Sequence, residues 1–246
     1  MANLVLDIGN TLHKAAIFQD GTLISICQKR DLQLSDIQFF IENKNIVSAI
    51  VSETGAMNDE LHRYLEKNFN TIFLSHKTAL PIKIQYKTPE QLGNDRIAAA
   101  VAAWARFPHS NTLVIQAGTC LVYDFINSHG EYMGGAISPG LSMRFKALHS
   151  FTAKLPSVAP DYDTLSECQL TGASTKESIV SGVFNGVIGE INYEIGLYMK
   201  KYPDLNIILT GGNMHHLKKS IKNTIFANSN LVLEGLNKIL ETNANQ

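Results

Sequence analysis

Leu4-Val5-Leu6-Asp7-Ile8-Gly9-Asn10-Thr11-Leu12 can be laid over Leu113-Val114-Ile115-Gln116-Ala117-Gly118-Thr119-Cys120-Leu121 at a constant offset of 109 residues. The offset persists without a gap, so that Ile17 falls on Ile126 and Gly21 on Gly130. Each stretch reads as a buried strand, a glycine turn with small polar residues, a second strand, and a glycine turn into a third. Coincidence is the competing explanation, because strand–Gly–strand is common. The second glycine at the same spacing favours an internal repeat. The repeat implies two similar domains facing each other, 1–110 and 111–246, with a boundary near Pro108 to Asn111.

Outside the repeated meanders the pattern is α/β. Helices are expected over 35–43, over 58–68 with Asn58 as N-cap, and over 89–107 with Pro89 in the first turn. Others are expected after Pro139, from Thr175 to about Lys201, and after Gly212. Strands are expected over 46–52, 71–74, 112–117, 120–127, 131–137 and 206–209, and a polar tail over 242–246.

Composition narrows the function classes. The chain has 246 residues, with 21 Lys+Arg against 22 Asp+Glu and a formal net charge of −1, which disfavours a nucleic-acid or anionic-membrane partner. An apolar fraction of 45% and a charged fraction of 17% are globular values. Cys27, Cys120 and Cys168 are too few and too scattered for a disulfide framework or a zinc site. The longest apolar run, Ile97 to Ala105, is nine residues, and a membrane span needs about 20. The N-terminus has no basic region before Leu4, unlike a signal peptide. These features read as a soluble cytoplasmic protein.

Asp7-Ile8-Gly9-Asn10-Thr11 closes a strand with a turn whose N–H groups, with the Asn and Thr side chains, can cradle phosphate oxygens. Asp7 can hold Mg²⁺ through water. The same residues also suit an ordinary hairpin. A second Gly-Thr turn at 118–119 strengthens the phosphate reading, since two such loops can serve one polyphosphate. Thr210-Gly211-Gly212 can approach a nucleobase or ribose, or simply link strand to helix. Gly93-Asn94-Asp95-Arg96 sets a candidate general base beside a guanidinium that can fork onto an anionic substrate, although a bare Asp-Arg pair is more often a surface ion pair. No Walker A lysine motif, G-x-G-x-x-G, G-x-S-x-G or H-E-x-x-H occurs.

Taken in order, Asp7 to Thr11, Gly93 to Arg96, Ala117-Gly118-Thr119 with Asp124, Gly134 to Gly140, Ala153 to Pro156, Gly172 to Thr175 and Thr210 to Gly212 resemble type III pantothenate kinases. These belong to the acetate kinase, sugar kinase, Hsp70 and actin superfamily. The resemblance implies two actin/Hsp70-like (ribonuclease H-like) domains, each opening with a β-meander, with a nucleotide cleft between them. It implies ATP-dependent phosphorylation of pantothenate to 4′-phosphopantothenate, towards coenzyme A. ATP would contact Asp7, Ile8, Gly9, Asn10, Thr11, Leu12, His13, Lys14 and Thr119. Pantothenate would contact Tyr86, Gly93, Asn94, Asp95, Arg96 and Thr175, with Asp95 as proton acceptor. Mg²⁺ would be the metal cofactor, and the protein a homodimer with its active site near the subunit interface. The family's aspartate for a monovalent cation, K⁺ or NH₄⁺, is replaced here by Gln116, which offers a carbonyl oxygen but no charge. Two other readings remain: a kinase of another small hydroxylated substrate, and a non-catalytic nucleotide-binding accessory protein of the same fold.

Overall fold

Strand β1, Ala2–Ile8, is central to its sheet, which explains its nearly continuous apolar sequence; Leu4, Val5, Leu6 and Ile8 are fully buried. It turns into antiparallel β2, His13–Gln19, which turns into β3, Thr22–Lys29. Strands β4, Ile46–Glu53, and β5, Asn70–Phe73, add in parallel on the other side of β1, giving the order β3-β2-β1-β4-β5. Parallel neighbours need crossovers. Helix α1, Leu34–Phe40, lies between β3 and β4, and α2, Asp59–Asn68, between β4 and β5. Asn58 caps α2, its side chain accepting from the Glu60 N–H at 2.7 Å. The structure is a computed structural model and describes residues 2–244.

The chain then repeats itself. After the two-residue strand β6, Lys83–Ile84, and helix α3, Asn94–Arg106, a second meander forms from β7, Thr112–Ala117, β8, Cys120–Ile126, and β9, Glu131–Pro139. Helices α4, Leu141–Ser150, and α5, Thr175–Lys201, lead to β10, Asn206–Thr210, parallel to β7. Helix α6, Met214–Leu217, leads to β11, Phe226–Ala227, parallel to β10. The resulting order, β9-β8-β7-β10-β11, reproduces that of the first sheet strand for strand, and β6 pairs beyond the start of β9. The glycines matched at the second turns, Gly21 and Gly130, have φ of +75° and +73°. That left-handed conformation suits glycine, so the repeat extends to backbone geometry.

Two compact units result. One holds the chain up to Pro108, Gly130–Met133 and the stretch from Asn230 on; the other holds His109–His129 and Gly134–Ser229. The division at 110/111 therefore misplaces the end of the chain. Helix α7, Leu231–Ala244, belongs with the first unit, packed on α3. Fit explains this pairing: Ile97 to Ala103 of α3 are buried and mostly small, and a Cβ on Gly235 would lie 1.8 Å from the Ala98 carbonyl oxygen. Leu231, Leu236, Ile239 and Leu240 are buried on α7, each contributing roughly 1.5–3 kcal/mol. The expected polar tail begins as the last turn of α7; residues 245 and 246 lie outside the described residues.

The long helix expected over 89–107 is broken. Pro89–Gln91 form a single 3-10 turn, Leu92 and Gly93 are non-helical, and α3 starts afresh at Asn94. The break creates a helix N-terminus beside Asp95. The helix expected after Gly212 is only the four residues of α6. Among the described residues no helix is long and apolar enough to cross a membrane.

Candidate active site

In the first unit, β1 and β2 bring Asp7 opposite Lys14, and the parallel register brings Asp7 beside Ser52 of β4. Burial pushes the Asp7 carboxyl up from 3.8 to about 6, and the negative charge of Asp95 adds to the rise; Lys14 and the Ser52 hydroxyl act in the opposite direction. Asp7 Oδ1 and Ser52 Oγ are both buried; the Ser52 hydroxyl lies against the Asp7 carboxyl, and neither atom has another partner among the described residues. The turn over 9–12 is backed by the end of β4, where the Thr54 and Gly55 N–H groups donate to the Ile8 carbonyl at 2.9 and 2.8 Å. Thr54 Oγ1 donates to the same oxygen at 3.3 Å.

Asp95 sits in the first turn of α3, where the helix dipole favours a carboxylate. Its Oδ1 folds back over the cap; a Cβ on Gly93 would lie 2.7 Å from it. Next to it, Arg96 is buried, with its guanidinium 5.7 Å from the Tyr86 ring centroid and 5.9 Å from that of Tyr132. The two rings hold the planar cation by cation–π attraction and fix its direction. Asn94 has a structural task, its side chain donating to the Leu74 carbonyl at 2.9 Å and tying α3 to the end of β5.

In the second unit, the Gly118–Thr119 turn is assembled from three separated segments. The Gly140 N–H, at the cap of α4, donates to the Thr119 carbonyl at 3.2 Å. The Asn213 N–H donates to the Ala117 carbonyl at 2.9 Å, and its side-chain amide to the Gly118 carbonyl at 3.2 Å. Gly211, with φ of +93°, lies so close that a Cβ would fall 2.5 Å from the Ala117 oxygen. Gln116 is buried and its amide donates to Oδ2 of the fully buried Asp124 at 3.3 Å. The end of β9 is held by Glu190 of α5, which accepts from Arg144, from Ser138 at 3.2 Å and from the Tyr123 hydroxyl at 3.1 Å. Burial, and then the Glu190 charge, push the Tyr123 pKa up.

The structure thus gathers Asp7, Lys14 and Asp95 in one unit, with Tyr86 and Arg96 in contact there, and Gln116, Gly118 and Thr119 in the other. It does not bring every candidate to the surface of a loop. Ile8 is a core side chain, and His13 is buried, its Nδ1 accepting from the Leu32 N–H at 3.2 Å. Thr119 is exposed. Thr175 is the first residue of α5 and lines a mainly apolar cleft of about 720 Å³ with Leu148, Phe151, Leu155, Ile179 and Val183. Sequence reading missed Ser52, Thr54 and Gly55. Their signal was a strand ending in Ser52-Glu53-Thr54-Gly55, a polar and glycine turn like those that were recognised. Tyr132, the second ring over Arg96, carried no signal of its own.

The family model described as type III pantothenate kinase matches residues 3–196. The chain belongs to the type III pantothenate kinase family. A type III pantothenate kinase of Christiangramia forsetii is 44% identical over 99% of this chain and 100% of its own length. One of Cytophaga hutchinsonii is 43% identical, over 98% of this chain and 99% of its own. Among solved structures, the activator of the 2-hydroxyisocaproyl-CoA dehydratase from Clostridium difficile with bound ADPNP has a TM-score of 0.55 at 12% identity, covering 100% of this chain and 98% of that one. A ROK family glucokinase from Streptomyces griseus in complex with glucose and AMPPNP has a TM-score of 0.54 at 12% identity, covering 97% and 99%. These likenesses show the fold, which is the α/β actin/Hsp70-like fold expected. Membership of a kinase family makes the protein an enzyme and gives no support to the non-catalytic accessory reading.

Proposed function

We propose that the protein transfers the terminal phosphoryl group of ATP to the hydroxyl of pantothenate, giving 4′-phosphopantothenate for coenzyme A synthesis. The observation that carries this reading is the pair Asp7 and Asp95, two carboxylates close enough for one to raise the pKa of the other, in a chain of this family. Phosphoryl transfer needs positioning and charge neutralisation more than covalent help. N–H groups of the 9–12 turn and Lys14 hold phosphate oxygens. Asp95 orients the substrate hydroxyl and takes its proton as the new P–O bond forms. Arg96, steered by Tyr86 and Tyr132, pairs with the substrate carboxylate, with Gly93 beside it.

Magnesium fits these residues. Asp7 offers a buried carboxylate oxygen with no partner beyond the neighbouring Ser52 hydroxyl, and Mg²⁺ is commonly held by one or two carboxylates with waters and phosphates. Among the described residues no group of three or more His, Cys, Asp or Glu could hold a metal ion. When bound, Mg²⁺ neutralises charge on the transferring phosphates. A monovalent cation does not fit in the same way. Position 116 has no charge, and the Gln116 amide donates to Asp124, so this residue offers K⁺ or NH₄⁺ only a carbonyl dipole.

An ATP-using kinase works where ATP is made available, hence the cytoplasm. We also propose a homodimer through the second unit, supported by the apolar α4–α5 cleft and by exposed Phe151 and Leu170, at 87% and 82%. The test of function is a coupled ADP-release assay with Mg-ATP. ADP release that requires pantothenate, and is not supported by glucose or other small alcohols, supports the reading. Release with a sugar and not with pantothenate overturns it.

A further inference from the structure

Asp7 and Ser52 are register partners at the ends of parallel β1 and β4. Ser52 is fully buried beside Asp7, and neither its Oγ nor Asp7 Oδ1 has a hydrogen-bond partner elsewhere among the described residues. Leaving two such oxygens unsatisfied is costly, on the order of 1–3 kcal/mol each. Buried polar atoms of this kind are normally satisfied by an ordered water or an ion. The backbone of β1 and β4 is committed to the sheet, and the Thr54 hydroxyl already donates to the Ile8 carbonyl, while Lys14 stands opposite Asp7 on β2 and acts on its carboxyl as a charge.

Resting on the proposed Mg-ATP chemistry, we propose that Ser52 is a positioning residue of the metal site, holding with Asp7 the water through which that carboxylate reaches the divalent ion. Mg²⁺ dehydrates reluctantly and keeps several waters, so a carboxylate bound through water needs a second group to orient that water. A serine hydroxyl can do so, since it both donates and accepts. A serine of this kind in a strand, where β-branched and aromatic residues are favoured, is otherwise poorly accounted for.

The probe is Mn²⁺ in place of Mg²⁺, with ADP, read by electron paramagnetic resonance on the full-length protein. Ser52→Ala and Ser52→Cys should each weaken Mn²⁺ binding in the presence of ADP about tenfold, while ADP affinity in EDTA stays within about twofold. Ser52→Thr, which restores the hydroxyl, should recover most of the loss. Unchanged Mn²⁺ affinity in either hydroxyl-free variant, with the fold intact by circular dichroism, overturns the proposal. So does an equal loss of metal-free ADP affinity, which would make Ser52 merely structural. Should the parent protein bind Mn²⁺ and ADP normally but fail to phosphorylate pantothenate, the functional reading fails and the role of Ser52 stands.

Discussion

Asp7 and Gln116 occupy the same position of the two meanders, and they are treated in opposite ways. In the first, β1 ends in a carboxylate with an unpartnered oxygen, beside Ser52 in the parallel register, and a second carboxylate, Asp95, raises its pKa. In the second, β7 ends in a neutral amide beside Thr210 in the parallel register, and that amide donates to a buried carboxylate, Asp124. The carbonyls one residue on, Ile8 and Ala117, both accept from the turn that follows the parallel strand. One scaffold was thus filled twice, once with unmet charge and once with charge already answered. On the proposed function, the first meander is the side of the repeat assigned the metal and proton chemistry.

The largest expected effect falls on Asp95. Asp95→Asn should lower kcat by about 10²-fold or more, the scale of a positioned general base, with ATP affinity little changed. Steady-state kinetics with ADP titration checks it, and wild-type turnover would remove Asp95 from the chemistry.

Asp7→Asn makes the first meander resemble the second, and stability should register the change. The fold holds the Asp7 carboxyl at about 6 against 3.8, so it favours the neutral acid. Its contribution to stability is full below about 4 and is lost as pH rises through about 6, amounting to up to ~3 kcal/mol. Metal-free Asp7→Asn should therefore be more stable than the parent at pH 8 by roughly 1–3 kcal/mol, with the gap closing towards pH 4 in urea unfolding. Its Mg-ATP turnover should fall at the same time. A gap of the opposite sign would mean that Asp7 is stabilised as the anion.

Much of this contrast was legible in the sequence. The offset of 109 residues aligns Asp7 with Gln116 and Gly21 with Gly130 from the sequence alone. It could not supply Ser52, which reaches the site through parallel pairing across a crossover and not through proximity in the chain; Thr210, read only as part of the turn with Gly211 and Gly212, pairs with Gln116 in the same way. Nor did periodicity reveal that α7 returns to pack on α3, because that contact depends on Gly235 meeting Ala98 in space. The break at Leu92 and Gly93, which gives Asp95 its helix terminus, was hidden inside an otherwise good helical pattern.

Gln116→Asp reverses the comparison from the other side. It places a second carboxylate by buried Asp124 and should cost about 1–3 kcal/mol in Na⁺ buffer, with K⁺ recovering part of the loss in thermal melts. Recovery absent in every monovalent salt would mean that the site cannot take a cation at all. The smallest expected effect is in the parent itself. Turnover in K⁺, NH₄⁺ and Na⁺ should agree within about twofold, since a dipole at 116 gives a cation little hold. Strong activation by low-millimolar K⁺ would show that Gln116 does not replace the ion.

The most direct measurement is product analysis after incubation of the full-length protein with Mg-ATP and pantothenate. The expected result is pantothenate heavier by one phosphoryl group by mass spectrometry, with one ADP formed for each product molecule. Protein that binds ATP yet leaves pantothenate unmodified, or that forms ADP without phosphorylating it, would contradict the assignment.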